Sequence, residues 1–350
     1  MSDLETMIRE WDGLATVVRY DALTGAWMFI ALHDDTLGRP MGGTRMRVYP
    51  TPAEGLRDAQ RLAEGMTHKW AGAGIELGGG KAVLALPRRL EGAEREGLLE
   101  RYGRLVDSLQ GSFSTGQDLG TTTEDMAVIA RQTRYVHGRT GDGVIDPGPY
   151  TARGVLAAIR AVARHRFGSD DLAGRTVLIQ GTGDVGSPLA RGLAAAGARL
   201  LLSDVDGERV AGLAEELGAR VVPPAEVYET ECDILAPCAI GGVLNRGTIP
   251  RLACRAVCGS ANNQLDRPED ADLLHERGIL YAPDYIANSG GAIAFALMGR
   301  NAPAEEIERR LAGIRDVLER DFAEAASRGR SPLSIARRRV ERMLGKEEAA

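Results

Sequence analysis

The chain has 350 residues, of which 44% are hydrophobic and 26% charged, a composition typical of soluble globular proteins and a length that exceeds one hydrophobic core. Its formal net charge of −6, with no basic cluster, argues against nucleic acid as a partner. No segment has the apolar length of a membrane span and the N-terminus lacks the apolar core of a signal peptide, so we expect two soluble domains in the cytoplasm and no membrane partner.

Strands and helices alternate over the first 140 residues, which predicts an α/β layer domain. Thr16–Tyr20 and Trp27–His33 are predicted strands joined by a turn. A helix is expected to start at Thr51 with a capping box, to place its apolar residues at helical spacing, and to carry Lys69 near its C-terminal end. The stretch 71–80 is too rich in glycine for a helix, and a strand is expected to begin at Lys81.

The rest of this first region contains a further helix and a short strand. Apolar spacing predicts the helix over 98–109, and the strand that follows it ends at Asp118. Thr121 and Glu124 predict a second capping box. The Gly/Pro-rich segment 138–149 is the best candidate for a domain boundary.

The second half opens with a predicted helix over 151–167 and then carries a dinucleotide-binding pattern. An apolar strand, Thr176–Ile179, precedes a G-x-G-x-x-G motif, and a helix with Pro188 in its first turn follows. The motif consists of Gly181, Thr182, Gly183, Asp184, Val185 and Gly186. Glycines at these spacings let backbone amides approach a pyrophosphate at the helix N-terminus.

A second strand, Arg199–Ser203, ends in Asp204, about twenty residues beyond the motif, as dinucleotide binding requires. A carboxylate there accepts hydrogen bonds from the ribose hydroxyls of NAD and repels the 2′-phosphate of NADP. We therefore expect NAD as the cofactor. The alternative is a structural glycine turn with a capping aspartate.

The four cysteines lie at 232, 238, 254 and 258, and no histidine is near enough in sequence to complete a familiar zinc spacing. We expect buried thiols and no metal. Charged amphipathic helices are expected over 304–326 and 333–344.

Lysine is scarce in this chain. Of 43 basic residues only Lys69, Lys81 and Lys346 are lysine, and the first two stand twelve residues apart on either side of a glycine cluster. Arginine could supply any generic surface charge, so these two positions indicate a need for a compact amine that can lose its proton. The alternative is that both survived a codon bias by chance.

Eight segments in collinear order resemble the glutamate/leucine/phenylalanine/valine dehydrogenase family, and most of all its leucine and phenylalanine dehydrogenase branch. They are MGGTR (41–45), MTHK (66–69), LGGGKAV (77–83), TGQDLGTT (115–122), GTGDVG (181–186), APCAIGG (236–242), SANN (260–263) and APDYIANSGG (282–291). The resemblance implies reversible NAD-dependent oxidative deamination of an L-amino acid to a 2-oxo acid and ammonia.

The resemblance also implies roles for individual residues. Lys81 would be the general base, Asp118 would shuttle protons, and Lys69 would bind the substrate carboxylate. The carboxylate would be helped into place by Gly42, Gly43 and Asn288. This chemistry needs such residue types, because hydride loss from Cα gives an iminium that water attacks, which calls for a fixed cation and a proton acceptor near neutral pH.

Further family positions concern the cofactor and the substrate side chain. Thr151 would contact the nicotinamide carboxamide, and Ala239 and Asn263 would complete the cofactor site. Glutamate-specific members carry a lysine where this chain has Met41, so an apolar side chain is favoured, since a buried carboxylate there would lack a partner. Gly116, where leucine-type members often carry alanine, would enlarge the pocket toward an aromatic substrate.

The expected fold class is α/β, with a substrate-binding and oligomerisation domain over 1–147 and a Rossmann NAD-binding domain over 148–320. Helices over 321–350 would return to the first domain, and the active site would lie in the cleft between the domains. The family implies a homo-oligomer, from dimer to octamer, with the N-terminal strands as a candidate interface. Alternatives that remain open are a glutamate or other amino acid dehydrogenase, a hydroxy-acid dehydrogenase, and a catalytically silent NAD-binding sensor.

Overall fold

The computed structural model describes residues 2–137, 139–140, 143–144, 146–299 and 302–346. The chain forms two compact units, unit 1 with residues 1–146 and 295–301 and unit 2 with residues 147–294 and 302–350. Positions 138, 141, 142 and 145 of the predicted boundary segment lie outside the described residues. None of the helices in the described ranges has the length and apolarity to cross a membrane.

A five-stranded mixed sheet forms the centre of unit 1, in the order β1-β2-β4-β3-β5. Its elements are α1 Ser2–Arg9, β1 Ala15–Asp21, β2 Ala26–Asp34, β3 Pro40–Val48, α2 Pro52–Gly72, β4 Gly78–Leu86, α3 Gly92–Ser108, β5 Ser114–Gln117 and α4 Thr123–Ala130, followed by the short pair β6 Arg139–Thr140 and β7 Gly143–Val144. The sheet is antiparallel from β1 through β2 to β4 and parallel from β4 through β3 to β5. Strand β4 is buried along its whole length, so it forms the middle of the core.

Helix α2 begins as the sequence predicts. The Thr51 hydroxyl accepts a hydrogen bond from the backbone N–H of Glu54, and Pro52 occupies the first turn. One face of the helix, with Leu56, Ala59 and Ala63, is buried against the sheet. The helix carries Lys69 in its last turn and ends at Gly72.

Strand β4 begins at Gly78, so the prediction that it begins at Lys81 was wrong by three residues. A Cβ on Gly79 would lie 1.8 Å from Thr67 Oγ1 and 2.5 Å from the carbonyl oxygen of Ala63, and a Cβ on Gly78 would lie 2.2 Å from the carbonyl oxygen of Asp34. Glycine is weak in strands on local grounds, but here it allows α2 and β2 to approach the strand closely. Tertiary packing therefore decides the strand boundary.

The second capping box lies one residue later than Thr121 and Glu124, the pair expected from the sequence. Thr122 accepts from the backbone N–H of Asp125, and the Asp125 carboxylate accepts from the backbone N–H of Thr122. Thr121 is unavailable as a cap because its hydroxyl lies 2.9 Å from the carbonyl oxygen of Thr44. This contact holds the start of α4 to β3.

Unit 2 contains a six-stranded parallel sheet in the order β10-β9-β8-β11-β12-β13. Its elements are α5 Gly148–Phe167, β8 Thr176–Gln180, α6 Gly186–Ala195, β9 Arg199–Ser203, α7 Gly207–Leu217, β10 Arg220–Val221, β11 Cys232–Pro237, β12 Cys254–Val257, α8 Asp270–Glu276, β13 Leu280–Tyr281, α9 Asp284–Ala287, the first part of α10 Gly290–Met298, α11 Ala304–Arg328 and α12 Pro332–Met343. The rest of α10, from residue 295, belongs to unit 1. Counted from β8, the spatial order is 3-2-1-4-5-6, which is the doubly wound dinucleotide-binding arrangement. Helix α11 packs along α5 within this unit, whereas the predicted return of the C-terminal helices to the first domain stays a prediction.

Candidate active site

A buried lysine and an aspartate form an ion pair at one end of the sheet in unit 1. Lys81 Nζ lies 2.8 Å from Asp118 Oδ1, and the Lys81 side chain is only 5% exposed. Lys81 projects from β4, while Asp118 follows directly after β5. The intervening strand β3 pairs with both, so the parallel register brings the two groups together across it.

Asp118 is paired on both of its oxygens. Its second oxygen, Oδ2, accepts from Nε of Arg45 on β3 at 3.0 Å. Burial alone would raise the pKa of Asp118, but the charges of Lys81 and Arg45, and their hydrogen bonds, lower it to about 2. Asp118 is therefore a carboxylate at neutral pH, held between two cations.

Arg45 and its partner Asp58 are members of this cluster that the sequence analysis did not select. Arg45 Nη1 donates to Asp58 Oδ2 at 3.0 Å, and the Tyr49 hydroxyl donates to the same oxygen at 2.7 Å. Arg45 could have been selected from the sequence because it is the arginine that ends the MGGTR segment of the family resemblance. Asp58 gave no such signal, because an aspartate on a helix face is usually a solvated residue.

Lys69 and the Gly42 region lie in the same unit, on elements that pack together. Two neighbours of Lys69 on α2 touch β3 or lie beside it: Trp70 Nε1 donates to the carbonyl oxygen of Met41 at 2.9 Å, and a Cβ on Gly42 would lie 3.2 Å from Met66 Cγ. The same Cβ would lie 1.7 Å from the carbonyl oxygen of Gly80, one residue before Lys81. The last turns of α2 are therefore packed beside the strand segments that precede Lys81.

Two further glycines border the Asp118 loop. A Cβ on Gly43 would come within 2.9 Å of Asp118 Cβ and 2.6 Å of the carbonyl oxygen of Gln117, so only glycine fits there. Gly116 pairs with Gly43 in the sheet, yet among the described residues a Cβ on Gly116 would meet only the carbonyl oxygen of His137, at 3.9 Å. Gly116 thus has free space at its Cβ position, where Gly43 has none.

The predicted glycine motif forms the turn between β8 and α6 in unit 2. Gly181 has a φ of +101°, and a Cβ on it would lie 2.8 Å from Ala239 Cβ. A Cβ on Gly186 would lie 1.9 Å from the carbonyl oxygen of Gly181. Gly183 differs, because its nearest neighbour would be Arg209 Nη1 at 3.7 Å. The turn is closed on its protein side and open at Gly183, which fits a pyrophosphate approaching the N-terminus of α6.

Asp204 holds this turn in place. Its Oδ2 accepts from the backbone N–H of Thr182 at 2.6 Å and from the Thr182 hydroxyl at 2.9 Å, and its Oδ1 accepts from the backbone N–H of Asp206 at 3.0 Å. Burial would raise the pKa of Asp204, but these hydrogen bonds lower it. A carboxylate has about four lone-pair positions, so one acceptor position is left for a ribose hydroxyl. The carboxylate therefore supports the turn and can also bind a ribose.

Asn288 is buried with one unused polar atom. Its Nδ2 donates to the carbonyl oxygen of Ser260 at 3.1 Å and to Asn262 Oδ1 at 2.9 Å, whereas its buried Oδ1 has no hydrogen-bond partner. Those acceptors fix the orientation of the amide. The open atom is thus an acceptor, suited to an N–H donor on a ligand. Asn262, which the sequence analysis passed over in favour of Asn263, contributes to this orientation.

The remaining predicted cofactor residues all lie in unit 2. The Thr151 hydroxyl donates to the carbonyl oxygen of Pro147 at 2.9 Å, and a Cβ on Gly291 would lie 2.6 Å from that hydroxyl. Asn263 has a φ of +51°, and its carbonyl oxygen accepts from the backbone N–H of Gly242 at 2.7 Å. These contacts give each residue a structural partner and assign no ligand contact.

Metal and thiol chemistry find little support in the part of the chain that the structure describes. Within it, no group of three or more His, Cys, Asp or Glu side chains is arranged to hold a metal ion. All four cysteines are free thiols, and burial raises the pKa of each. Such thiols are poor nucleophiles.

The sheet order of unit 2, its glycine turn and the carboxylate after the second strand define a dinucleotide-binding domain. The lysine–aspartate pair of unit 1 consists of groups that can exchange protons. Together they define the class of nicotinamide-dinucleotide-dependent dehydrogenases.

Comparisons with known proteins agree with this class. Residues 19–135 match the dimerisation domain of Glu/Leu/Phe/Val dehydrogenases, and residues 202–337 match the Glutamate/Leucine/Phenylalanine/Valine dehydrogenase domain. Leucine dehydrogenase of Geobacillus stearothermophilus is 43% identical over 91% of this chain and 87% of its own, and phenylalanine dehydrogenase of Lysinibacillus sphaericus is 43% identical over 79% of this chain and 74% of its own. The crystal structure of L-tryptophan dehydrogenase from Nostoc punctiforme superimposes with a TM-score of 0.83 at 38% identity, covering 98% of both chains.

The chain therefore belongs to the Glu/Leu/Phe/Val dehydrogenase family, and it is an amino acid dehydrogenase that uses a nicotinamide dinucleotide. The predicted α/β fold class is confirmed, as is the resemblance to the leucine and phenylalanine branch. The roles of individual residues stay predictions.

Proposed function

We propose that this protein catalyses the reversible NAD-dependent oxidative deamination of an apolar L-amino acid to the 2-oxo acid and ammonia. The observation that carries the proposal is the buried contact of 2.8 Å between Lys81 and Asp118, in a family whose relatives are named for leucine, phenylalanine and tryptophan. The Lys81 side chain is only 5% exposed, so its charge has largely left water and the Asp118 carboxylate compensates it.

The proposed chemistry divides between residues of unit 1. Lys69 would bind the substrate carboxylate through its ammonium, with the backbone at Gly42 and Gly43 beside it. When bound, the nicotinamide ring supplies the hydride acceptor. Lys81 would take a proton from the attacking water, and Asp118 would accept and return protons as the carbinolamine forms and breaks down. Because its pKa is held at about 2, Asp118 enters the reaction as a carboxylate.

The contacts of Asn288 do not suit its expected role of holding the substrate carboxylate. A carboxylate contact would need Nδ2, but both partners of Nδ2 are already in the protein. The open Oδ1 suits a donor, such as the substrate ammonium or the nicotinamide amide N–H. We therefore propose that Asn288 accepts a hydrogen bond in the ligand complex.

The proposed substrate preference rests on Met41 and Gly116. Met41 is 4% exposed and has no charge to pair with a glutamate side chain, so an apolar substrate is favoured. The space at Gly116 is compatible with an aromatic side chain. The cofactor preference rests on the remaining acceptor position of Asp204, which favours NAD over NADP. We further propose a cytoplasmic homo-oligomer.

The experiment is an initial-rate comparison with purified protein. Leucine, valine, phenylalanine, tryptophan and glutamate would each be tested with NAD and with NADP, and the corresponding 2-oxo acids would be tested with NADH in the presence and absence of ammonia. We expect apolar amino acids with NAD to be fastest and the reverse reaction to require ammonia. Reduction of 2-oxo acids without ammonia would indicate a hydroxy-acid dehydrogenase, and no turnover with any amino acid would indicate an NAD-binding sensor.

A further inference from the structure

Arg45 is a largely buried cation whose guanidinium binds two carboxylates. Its side chain is 14% exposed, its Nε donates to Asp118, and its Nη1 donates to Asp58, each over 3.0 Å. Burial would lower the pKa of Arg45, but the charges of Asp118 and Asp58 raise it. The guanidinium is a rigid planar fork, so two carboxylates bound to different edges fix its orientation.

Asp58 is itself held firmly from the far side. The Tyr49 hydroxyl donates to Asp58 Oδ2 at 2.7 Å, and Arg61 Nη2 donates to Asp58 Oδ1 at 3.0 Å. Burial and the neighbouring carboxylate raise the pKa of Tyr49, so its hydroxyl remains a donor at any working pH. A continuous series of ion pairs thus connects Lys81 to Asp118, Asp118 to Arg45, and Arg45 to Asp58 on α2.

The geometry points to Arg45 as a positioning residue for the Lys81–Asp118 pair: anchored by Asp58, it holds the Asp118 carboxylate in one orientation and carries part of its charge while Lys81 releases a proton. This inference rests on the proposed general-base role of Lys81. It adds a residue that acts through Asp118.

The charge balance gives the direction of the effect. Among the described side chains of unit 1, the charged groups that pair with Asp118 are Lys81 from β4 and Arg45 from β3, with Asp58 of α2 bound to Arg45 and Lys69 about three turns further along α2. With Arg45 present, the Asp118 carboxylate is shared between two cations. Without Arg45, the carboxylate would face Lys81 alone, the attraction between these two charges would no longer be shared, and we expect the pH dependence of the reaction to move to higher pH.

The test compares Arg45→Gln and Arg45→Lys with the wild-type protein, using the fastest amino acid of the panel at saturating NAD across neutral and alkaline pH. For Arg45→Gln we expect kcat to fall roughly tenfold to a hundredfold, with a smaller change in KM, because the reacting groups are misplaced. We also expect the midpoint of the rise of kcat/KM with pH to move to higher pH. Arg45→Lys should return that midpoint toward the wild-type value, but kcat should stay reduced because one ammonium cannot bridge two carboxylates.

Arg101→Gln is the matched control. Arg101 Nε and Nη2 bind the buried Asp21 at 2.5 and 2.8 Å, in the same unit but on α3 and β1. The Arg101→Gln variant lacks an ion pair comparable to that of Arg45, so it shows how much stability such a loss costs. We expect the pH profile of its activity to match that of the wild-type protein. Thermal unfolding of all variants, followed by circular dichroism, separates folding from catalysis.

The outcomes distinguish this inference from the proposed function. An active wild-type protein whose pH profile and kcat are unchanged in Arg45→Gln overturns the positioning role alone. If Arg45→Gln does not fold, the Arg45→Lys variant decides: a kcat equal to that of the wild-type protein at every pH would overturn the positioning role of Arg45. A wild-type protein that deaminates no amino acid overturns both proposals.

Discussion

The Lys81 side chain is 5% exposed and that of Asp118 19%, and Lys81 depends on Asp118 for compensation of its charge. Asp118 has a second cation in Arg45, so removal of Lys81 leaves the carboxylate paired. Asp204 supports the glycine turn through Thr182 and is proposed to bind the ribose. Gly116 has free space at its Cβ position and is proposed to line the substrate pocket. Single substitutions at these positions can therefore separate chemistry from folding.

The Lys81→Ala variant should keep its fold and lose the proposed general base. We expect kcat to fall at least about a hundredfold, since general-base catalysis contributes that much or more. NAD binding should persist, because the glycine motif lies in unit 2. Kcat is measured by NADH absorbance and NAD affinity by calorimetry, with the exposed Lys346→Ala as control. Near-normal turnover in Lys81→Ala would exclude the assigned role.

The Asp204→Ala variant should weaken discrimination between NAD and NADP. Loss of the carboxylate removes the support of Thr182, and with it the proposed ribose acceptor and the proposed repulsion of a 2′-phosphate. We expect KM for NAD to rise and the kcat/KM ratio of NAD over NADP to fall. Asp206→Ala is the control, because Asp206 caps α7 and bonds Arg209 rather than the glycine motif. An unchanged ratio in Asp204→Ala would show that another residue binds the ribose.

The Gly116→Ala variant should shift substrate preference toward aliphatic side chains. In the part of the chain that the structure describes, the new methyl group would meet only the carbonyl oxygen of His137, at 3.9 Å, so we expect the fold to be unaffected. If Gly116 lines the substrate pocket, the ratio of kcat/KM for phenylalanine over leucine should fall by roughly tenfold, the usual effect of one methyl group. The same ratio in variant and wild type would place Gly116 outside the pocket.

At the level of elements, the packing of α2 on β4 positions the lysines at 69 and 81. The close approach depends on Gly79, where any Cβ would overlap Thr67 and the backbone at Ala63. Local propensity disfavours glycine in a strand, which is why the sequence predicted a later start for β4. The shifted capping box of α4 has the same kind of cause, because Thr121 is engaged by β3.

Gly79→Ala and Gly65→Ala form a matched pair that tests this packing. Gly79→Ala should lower the free energy of unfolding by about 1–3 kcal/mol or more, because the overlap can be relieved only by moving α2. Gly65 lies within α2 and a Cβ there would meet nothing within 4 Å, so Gly65→Ala should raise it by about 0.5–1 kcal/mol. Chemical denaturation followed by circular dichroism gives both values. Equal stability of the two variants would contradict the packing argument.

At the scale of the whole molecule, the sheet of unit 1 has an edge that pairs with no further strand among the described residues. Strand β1 is the outer strand next to β2, and it exposes Val18 by 49% and Tyr20 by 53%. Exposed apolar edge strands invite pairing with another chain. This agrees with the proposed homo-oligomer and with the N-terminal strands as its interface.

The double variant Val18→Arg/Tyr20→Lys should therefore have a smaller mass in solution than the wild-type protein, because charges on the edge oppose pairing. Light scattering after size-exclusion chromatography measures the mass. Val221→Arg is the control, since Val221 lies on β10, the outer strand of the other sheet, and is 43% exposed. A double variant that retains the wild-type mass would place the interface elsewhere.

Much of the molecule was accessible from sequence because its signals are local. The strand Arg199–Ser203 and the start of α2 at Thr51 follow from contiguous patterns of apolar spacing and capping. The glycine motif is equally local, and the family resemblance rests on short segments in fixed order. Because lysine is scarce in this chain, the sequence alone singles out Lys69 and Lys81 as candidate functional residues.

Tertiary structure decided the features that join residues far apart in the chain. The pairing of Arg45 with Asp118 spans 73 positions, and the hydrogen bonds that orient the Asn288 amide reach back 26 and 28 positions. No local pattern encodes such contacts, because they depend on how strands and helices pack. Sequence determined which groups are present and the elements that carry them, whereas packing determined which charges are shared and which polar atom stays open to a ligand.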